Sequence, residues 1–350
     1  MKKFLLPETG NYYKANLHCH TNISDGNLTP EEMKKAYMAH GYSIIAYTDH
    51  DVFIPHPELC DENFLALNSM EIEITQPVSE TKCPDAPYAK TYAKTCHLCF
   101  IALDPDNDIS PLYHREKYVW GNGKAYRPVL KFDESKPDFE REYTHEGINR
   151  AIKEAKDCGF FVTYNHPVWS LENYNDYTNY HGMHAMEICN YSSFSHGWDD
   201  YNEREYDDML MNGERLYCVS ADDNHNFHPF DSPKNDSFGG FTMIKAESLD
   251  YRKITDALVK GDFYASQGPH IYDLWLGDGM VHVTCSGAKM IKMNTGRRKS
   301  PVALAIDGEL LTHASFPVAP EDDYIRITVK DANGNHANTR AYFTDEILEV

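Results

Sequence analysis

The sequence predicts an α/β fold with a parallel sheet, followed by a small antiparallel β domain. A helix pattern, a Gly stop and a short apolar run recur three times before Asp222, the order expected of βα units. The apolar runs are unbroken rather than alternating, as strands buried on both faces read. From about residue 266 helical periodicity disappears and short β-rich runs separated by turn residues replace it.

Each element has its own signal. Thr29-Pro30-Glu31-Glu32 reads as a capping box with Pro in the first turn, predicting a helix to His40 that Gly41 stops. The strand Ser43–Tyr47 follows and ends in Thr48-Asp49-His50-Asp51. The second copy is the helix Ile148–Gly159, the strand Phe160–Tyr164 and Asn165-His166-Pro167. The third is the helix Glu203–Gly213, the strand Leu216–Val219 and Ser220-Ala221-Asp222-Asp223-Asn224-His225. A fourth helix ends at Gly261. Residues 104–146, rich in Pro, Tyr, Asp and Lys, break the rhythm and read as a surface excursion or lid. The expected domains are therefore 1–265, containing that excursion, and 266–350. The latter has the runs HIYDLWL, MVHVTCS, PVALAI, YIRITVK and RAYFTDEI, with Gly-Asp-Gly and Asn-Gly-Asn turns.

Composition narrows the function. The 350 residues are 41% hydrophobic and 25% charged, which suits a globular chain. Lys and Arg number 33 against 54 Asp and Glu, for a net charge of −21. That acidity argues against duplex DNA or an anionic membrane as partner, while leaving open a nucleotide held through metal ions. Nine cysteines without a disulfide-like spacing point to a reducing, cytoplasmic setting. The start MKKFLLPETG is too short in apolar residues for a signal segment, and no run reaches membrane-spanning length.

The eighteen histidines are the unusual feature. On a strand, His18 and His20 share a face and can share a metal ion, while Cys19 points away. Asp25 lies in Ser24-Asp25-Gly26, and His50 at a strand end. Glu71 and Glu73 alternate on one face, so spacing does not choose between them. His97 starts an apolar strand, His166 precedes a strand-ending Pro, and Asp223 and His225 form another i, i+2 pair. Singly, these are caps or satisfied side chains. Together they form a nitrogen and oxygen donor set suited to Zn, Mn or Fe, too large for one tetrahedral ion. Such carboxylates and imidazoles without cations would cost desolvation and repulsion.

In order, His18-x-His20, Ser24-Asp25-Gly26, Thr48-Asp49-His50-Asp51, Glu71, His97, His166-Pro167 and Asp223-x-His225 resemble the motifs of the PHP (polymerase and histidinol phosphatase) superfamily. The resemblance covers roughly residues 14–265. KGDFYASQGPHI and the β tail resemble a subset of metallohydrolases with an appended β domain. The resemblance implies a distorted (β/α)7 barrel and two or three divalent ions (Zn, Mn or Fe). His18, His20, Glu71 and Asp223 would hold the first; Glu71 would bridge to a second on His97 and His166; Asp25, His50 and His225 would hold a third. It favours Glu71 over Glu73 and Asp223 over Asp222, and makes Asp49, Asp51 and Asp222 candidates to orient imidazoles. It implies hydrolysis of a small-molecule phosphomonoester or phosphodiester by a metal-bridging hydroxide. His196 is the candidate acid for the leaving group, and Arg115, Arg127 and Lys131 are candidate phosphate contacts. The alternatives are hydrolysis of another ester or amide, and a non-catalytic metal-holding scaffold with a binding β domain.

Overall fold

The computed structural model describes residues 2–306 and 308–348, so the outer ends of the expected domains, 1 and 350, lie outside the described residues. Strands β1 (Lys3–Phe4) and β2 (Asn11–Cys19) open the chain. Helix α1 (Pro30–Ala39) starts where its signals predict: the Glu32 N–H donates to Thr29 Oγ1 at 3.2 Å, and the Thr29 N–H donates to Glu32 Oε2 at 2.9 Å. Then come β3 (Ile44–Tyr47), β4 (Leu65–Thr75) and β5 (Thr95–Ala102). Helix α2 (His145–Asp157) starts earlier than the expected Ile148 because Thr144 caps it through the Gly147 N–H. It buries Ile148, Ala151, Ile152 and Ala155, the apolar stripe of its sequence. Next are β6 (Phe160–Tyr164), α3 (Tyr174–Tyr177), β7 (Ala185–Asn190), α4 (Glu203–Met211), β8 (Tyr217–Ala221), β9 (Phe241–Ala246), α5 (Tyr251–Lys260) and β10 (Phe263–Ser266).

The remainder is β11 (Ile271–Gly277), β12 (Met280–Ala288), β13 (Met290–Thr295), β14 (Val302–Leu304), β15 (Leu311–Pro317), β16 (Tyr324–Lys330), β17 (His336–Thr339), β18 (Tyr342–Phe343) and the short α6 (Thr344–Ile347). Asp278 and Gly279, both at positive φ, make the β11–β12 hairpin turn. The strands β13, β15 and β17 carry no clear signal in the sequence.

The architecture is mixed α/β: one large sheet and a separate antiparallel sheet, β1-β11-β12-β15. The large sheet runs β14-β13-β16-β17-β10-β9-β2-β3-β4-β5-β6-β7-β8. The expected parallel sheet is found only in part. β2, β3 and β4 are parallel, as are β6, β7 and β8, but β5 is antiparallel to both neighbours and β9 to β2 and β10. No α-helix connects β4 to β5, so the chain returns without the crossover that a parallel neighbour needs.

Among the described residues no ladder closes β8 onto β2. A single parallel bridge, Cys19 with Asn224, joins their ends. β9 takes the edge of β2 over Asn11–Ala15, so the chain after β8 meets β2 only beyond it. There the Asp223 N–H donates to the His18 carbonyl at 2.9 Å, and the His20 N–H to the Asn224 carbonyl at 3.1 Å. No helix among the described residues is long and apolar enough to cross a membrane.

The excursion 104–146 is pinned to the loops after β2 and β3. Val119 and Leu130 pack with Ile23 and Val52. The buried Arg141 guanidinium donates to Asp51 at 2.5 Å and to the Glu73 carbonyl at 2.9 Å.

Candidate metal centre

The six co-directional strands β2, β3, β4, β6, β7 and β8 end at one edge of the sheet. His18 and the adjacent His20 come from the end of β2, His50 from after β3, His166 from after β6, and Asp223 and His225 from after β8. His97 lies near the start of β5. Because β5 is reversed, its start lies at the edge where the others finish, opposite Glu73 and beside Glu71 on β4. A strand start and several strand ends thus supply one site.

Glu71 stands at the centre. Its Oε1 lies 3.2 Å from His18 Nε2, 3.2 Å from His97 Nδ1 and 3.5 Å from His166 Nε2. Its Oε2 lies 3.2 Å from His50 Nδ1 and 3.4 Å from His20 Nε2. Asp223 Oδ1 is 3.1 Å from His18 Nε2 and 3.0 Å from His20 Nε2. Asp25 reaches His225 Nε2 at 3.5 Å, and His20 and His50 at 3.8 Å. All nine candidate ligands therefore converge. Their donor atoms fall into overlapping groups: His18, His20 and Asp223; His18, Glu71 and His166; His50, Glu71 and His97; and His20, Asp25, His50 and His225. His18, His20 and His50 each belong to two groups, which the sequence-based division into three sets does not anticipate.

These residues fit divalent ions. Nitrogen and oxygen ligands at about 2.0–2.2 Å from an ion lie about 3.0–3.6 Å from one another, the spacing found around Glu71. Among the described residues the buried atoms His20 Nδ1, His50 Nδ1 and Glu71 Oε2 find no hydrogen-bond partner, a cost that a cation would remove. Burial opposes charge on His18 and His20, yet the nearby carboxylates outweigh it. They hold His18 well above its ordinary range and push His20 up to about 10. Burial and the charge on His20 take His50 down to about 3. Burial also opposes ionisation of Glu71 and Asp223, but the imidazoles hold both well below the usual carboxylate range.

The local backbone serves this edge. His166 and Asp223 hold positive φ, +29° and +54°, conformations that L-residues adopt at a cost and that cluster at functional sites. Gly26 is required by close approach: a Cβ there would stand 2.6 Å from the His20 carbonyl oxygen.

The three expected imidazole-orienting carboxylates do other work. Asp49 accepts from the N–H and hydroxyl groups of Thr21 and Ser24, shaping the loop before Asp25. Asp51 pairs with Arg141. Asp222 accepts from Tyr37 Oη and from the N–H groups of Phe238, Gly239 and Gly240.

A cavity of about 260 Å³ opens over the cluster, lined by candidate ligands together with Glu73, Lys90, Trp120, Trp169, Ser192, His196 and Phe227. His196 is exposed at its edge, 6.2 Å from the Trp169 ring. Arg115, Arg127 and Lys131 are absent from this lining and are spent inside the excursion. Arg115 pairs with Asp138, Lys131 with Asp108, and Arg127 donates to the carbonyls of His114, Arg115 and Lys117. Lys90 is the cation facing the cavity instead, 3.3 Å from Glu73. Its segment precedes β5 and showed no motif. Asn165, which donates to Glu71 Oε1 at 2.7 Å, was readable only as the neighbour of His166.

No family model matches the chain, and no curated protein matches its sequence. The solved structures that match at low identity include these three. A two-domain protein from Bacteroides vulgatus, described as containing a predicted PHP-like metal-dependent phosphoesterase, aligns over 97% of this chain and 98% of its own, with 15% identity and a TM-score of 0.45. A candidate metal-dependent phosphoesterase from Bifidobacterium adolescentis covers 66% of this chain and 93% of its own, at 16% identity and a TM-score of 0.36. An amidohydrolase from Chromobacterium violaceum, with bound sulfate and no metal, covers 60% and 87%, at 16% identity and a TM-score of 0.34.

Proposed function

We propose that this chain is a metal-dependent hydrolase of the PHP type that cleaves the phosphate ester of a small molecule. In this reading β2–β8 are the strands of a distorted (β/α)7 barrel within residues 1–265, and 266–350 form an appended β unit, although β1 pairs with β11 across that boundary. The observation that carries the reading is Glu71, buried, with five imidazoles within 3.5 Å of its two oxygens. A carboxylate in that setting is suited to share its oxygens between cations.

His18, His20, Glu71 and Asp223 would hold one ion, Glu71, His97 and His166 a second, and Asp25, His50 and His225 a third. Zn, Mn and Fe suit these donors. When bound, such ions acidify water to a nucleophile near neutral pH and offset charge on phosphoryl oxygens, which lets an acidic protein take an anionic substrate. The chain's own groups do the rest. Trp120, Trp169 and Phe227 wall the cavity with apolar surface. Lys90 offers a positive charge to a phosphoryl oxygen. His196, at the cavity edge, donates a proton to the departing oxygen. A cavity of about 260 Å³ suits a small ester rather than a duplex. The nine cysteines are all free thiols, in keeping with a cytoplasmic enzyme.

The test is turnover of a panel of phosphomonoesters and phosphodiesters with Mn, Fe or Zn restored after chelation. Phosphate release that depends on the restored ion is the expected result. Cleavage of carboxylic esters or amides without phosphate release would move the reading to another hydrolase class. Binding of a partner that survives chelation, without turnover, would favour the scaffold.

A further inference from the structure

β7 supplies none of the nine candidate ligands, yet it runs between β6 and β8, whose ends supply three. What it presents to the cluster is Glu187, 1% exposed. A carboxylate buried this deeply is costly unless donors surround it, and here they do. Oε1 lies 2.7 Å from His18 Nδ1. Oε2 accepts from the His166 backbone N–H at 3.1 Å and from Asn190 Nδ2 at 2.9 Å. The same Asn190 amide donates to Asp223 Oδ2 at 3.1 Å, and Asn190 Oδ1 accepts from Ser193 Oγ at 2.8 Å, which fixes the orientation of the amide.

We infer that Glu187 is the positioning residue of the cluster: it sets the tautomer of His18 and ties the chain segments of His18, His166 and Asp223 to one buried anion. This rests on the reading that the cluster holds cations. The chemistry follows from donor and acceptor counts. A carboxylate only accepts, so the His18 nitrogen facing it, Nδ1, carries a hydrogen. That leaves the Nε2 lone pair aimed between Asp223 and Glu71, at 3.1 and 3.2 Å. The negative charge behind the ring also raises the basicity of Nε2. The remote nitrogens of His166 and His225 meet neutral acceptors instead, Ser170 Oγ and the Asp223 carbonyl. At His166 the carboxylate acts through the backbone, holding a residue whose φ is +29°.

The isosteric variant Glu187→Gln makes a sharp test. Two N–H donors converge on Oε2, so the Gln carbonyl must take that place and its NH2 must face His18 Nδ1. His18 then becomes an acceptor at Nδ1, and its hydrogen moves to Nε2, where it points into the cluster and blocks ligation.

The experiment uses the zinc-loaded full-length chain with 15N-labelled histidine, with His18 assigned by its loss in His18→Gln. Long-range 15N–1H correlation spectra read which ring nitrogen carries hydrogen, and chelator competition reads zinc affinity. In the unsubstituted protein His18 should show Nδ1–H and a zinc-bound Nε2. In Glu187→Gln the Nδ1–H signal should vanish and the affinity of one zinc site should fall by about 10- to 100-fold. Retained Nδ1–H and unchanged affinity in the variant overturn the inference and leave the metal reading standing. Binding of His18 through Nδ1 in the unsubstituted protein overturns it whether or not the variant folds. Failure of the unsubstituted protein to bind zinc, Mn or Fe overturns the metal reading itself.

Discussion

Glu172 follows the His166-Pro167 turn and holds the loop that carries Trp169. Its N–H donates to the Pro167 carbonyl, and its buried carboxylate sits beneath three tyrosine hydroxyls. Tyr164 donates to Oε2 at 2.5 Å, and Tyr180 and Tyr143 donate to Oε1 at 2.5 and 2.9 Å. Burial pushes its pKa from an ordinary 4.5 up to about 7, against the pull of the three hydroxyls and with some help from Asp176. Between those two values the native chain keeps a proton that the unfolded chain gives up. The native state binds more protons there, so stability falls as pH rises through the window. At about 1.36 kcal/mol per pH unit, the gap is worth about 3 kcal/mol. Glu172→Gln removes the titration and keeps the shape, and the tyrosine hydroxyls can turn to suit an amide. Urea unfolding of both metal-free proteins, at several values from about pH 5 to about pH 8, isolates this group from the histidine cluster they share. The unfolding free energy of the variant minus that of the unsubstituted protein should rise by about 2.5 kcal/mol across the range and level off above about pH 7. Parallel pH profiles for the two proteins would refute the assignment of a buried, protonated Glu172.

Metal uptake should strengthen as pH rises. His20, pushed up to about 10 without cations, must lose its proton to become a ligand. Calorimetry in buffers of different ionisation enthalpy should show protons released on zinc binding, and an affinity flat with pH would contradict this. His97→Ala should lose the second ion and most turnover while the sheet still folds; near-normal turnover with full metal content would sink the bridging role of Glu71. Arg141→Met strips the buried Asp51 of its guanidinium and should cost about 3 kcal/mol near pH 8. The cost should be smaller near pH 5, because Asp51, which burial pushes up to about 6 even beside Arg141, can take a proton there. Equal losses at both pH values in urea unfolding would argue against that ion pair.

The candidate ligands were legible because a parallel strand buried on both faces reads as an apolar run, and a polar residue where it stops stands out. His50, His166 and Asp223 all have that form. The capping box at Thr29 was legible because it is a purely local device. The reversal of β5 was not: Thr95–Ala102 is as apolar as a parallel strand, and direction is set by the connection before it. The strands β13, β15 and β17 mix polar and apolar residues, so neither an apolar run nor a clean alternation marks them, even though β17 pairs with the strand just before it. Arg115, Arg127 and Lys131 read as candidate phosphate contacts in the excursion, but the carbonyls and carboxylates of their own loop use them. Glu187 gave no signal at all: a single Glu in a strand reads as a solvent-facing position until β2 and β6 close over it.

The proposed function requires that one buried cluster hold several cations around Glu71. Elemental analysis of the chain purified without chelator, and again after reconstitution with Mn, Fe or Zn, beside Glu71→Gln treated identically, tests it most directly. Two or three ions per chain are expected in the unsubstituted protein and at least one fewer in the variant. No stoichiometric ion after reconstitution, or an equal content in both proteins, would contradict that requirement.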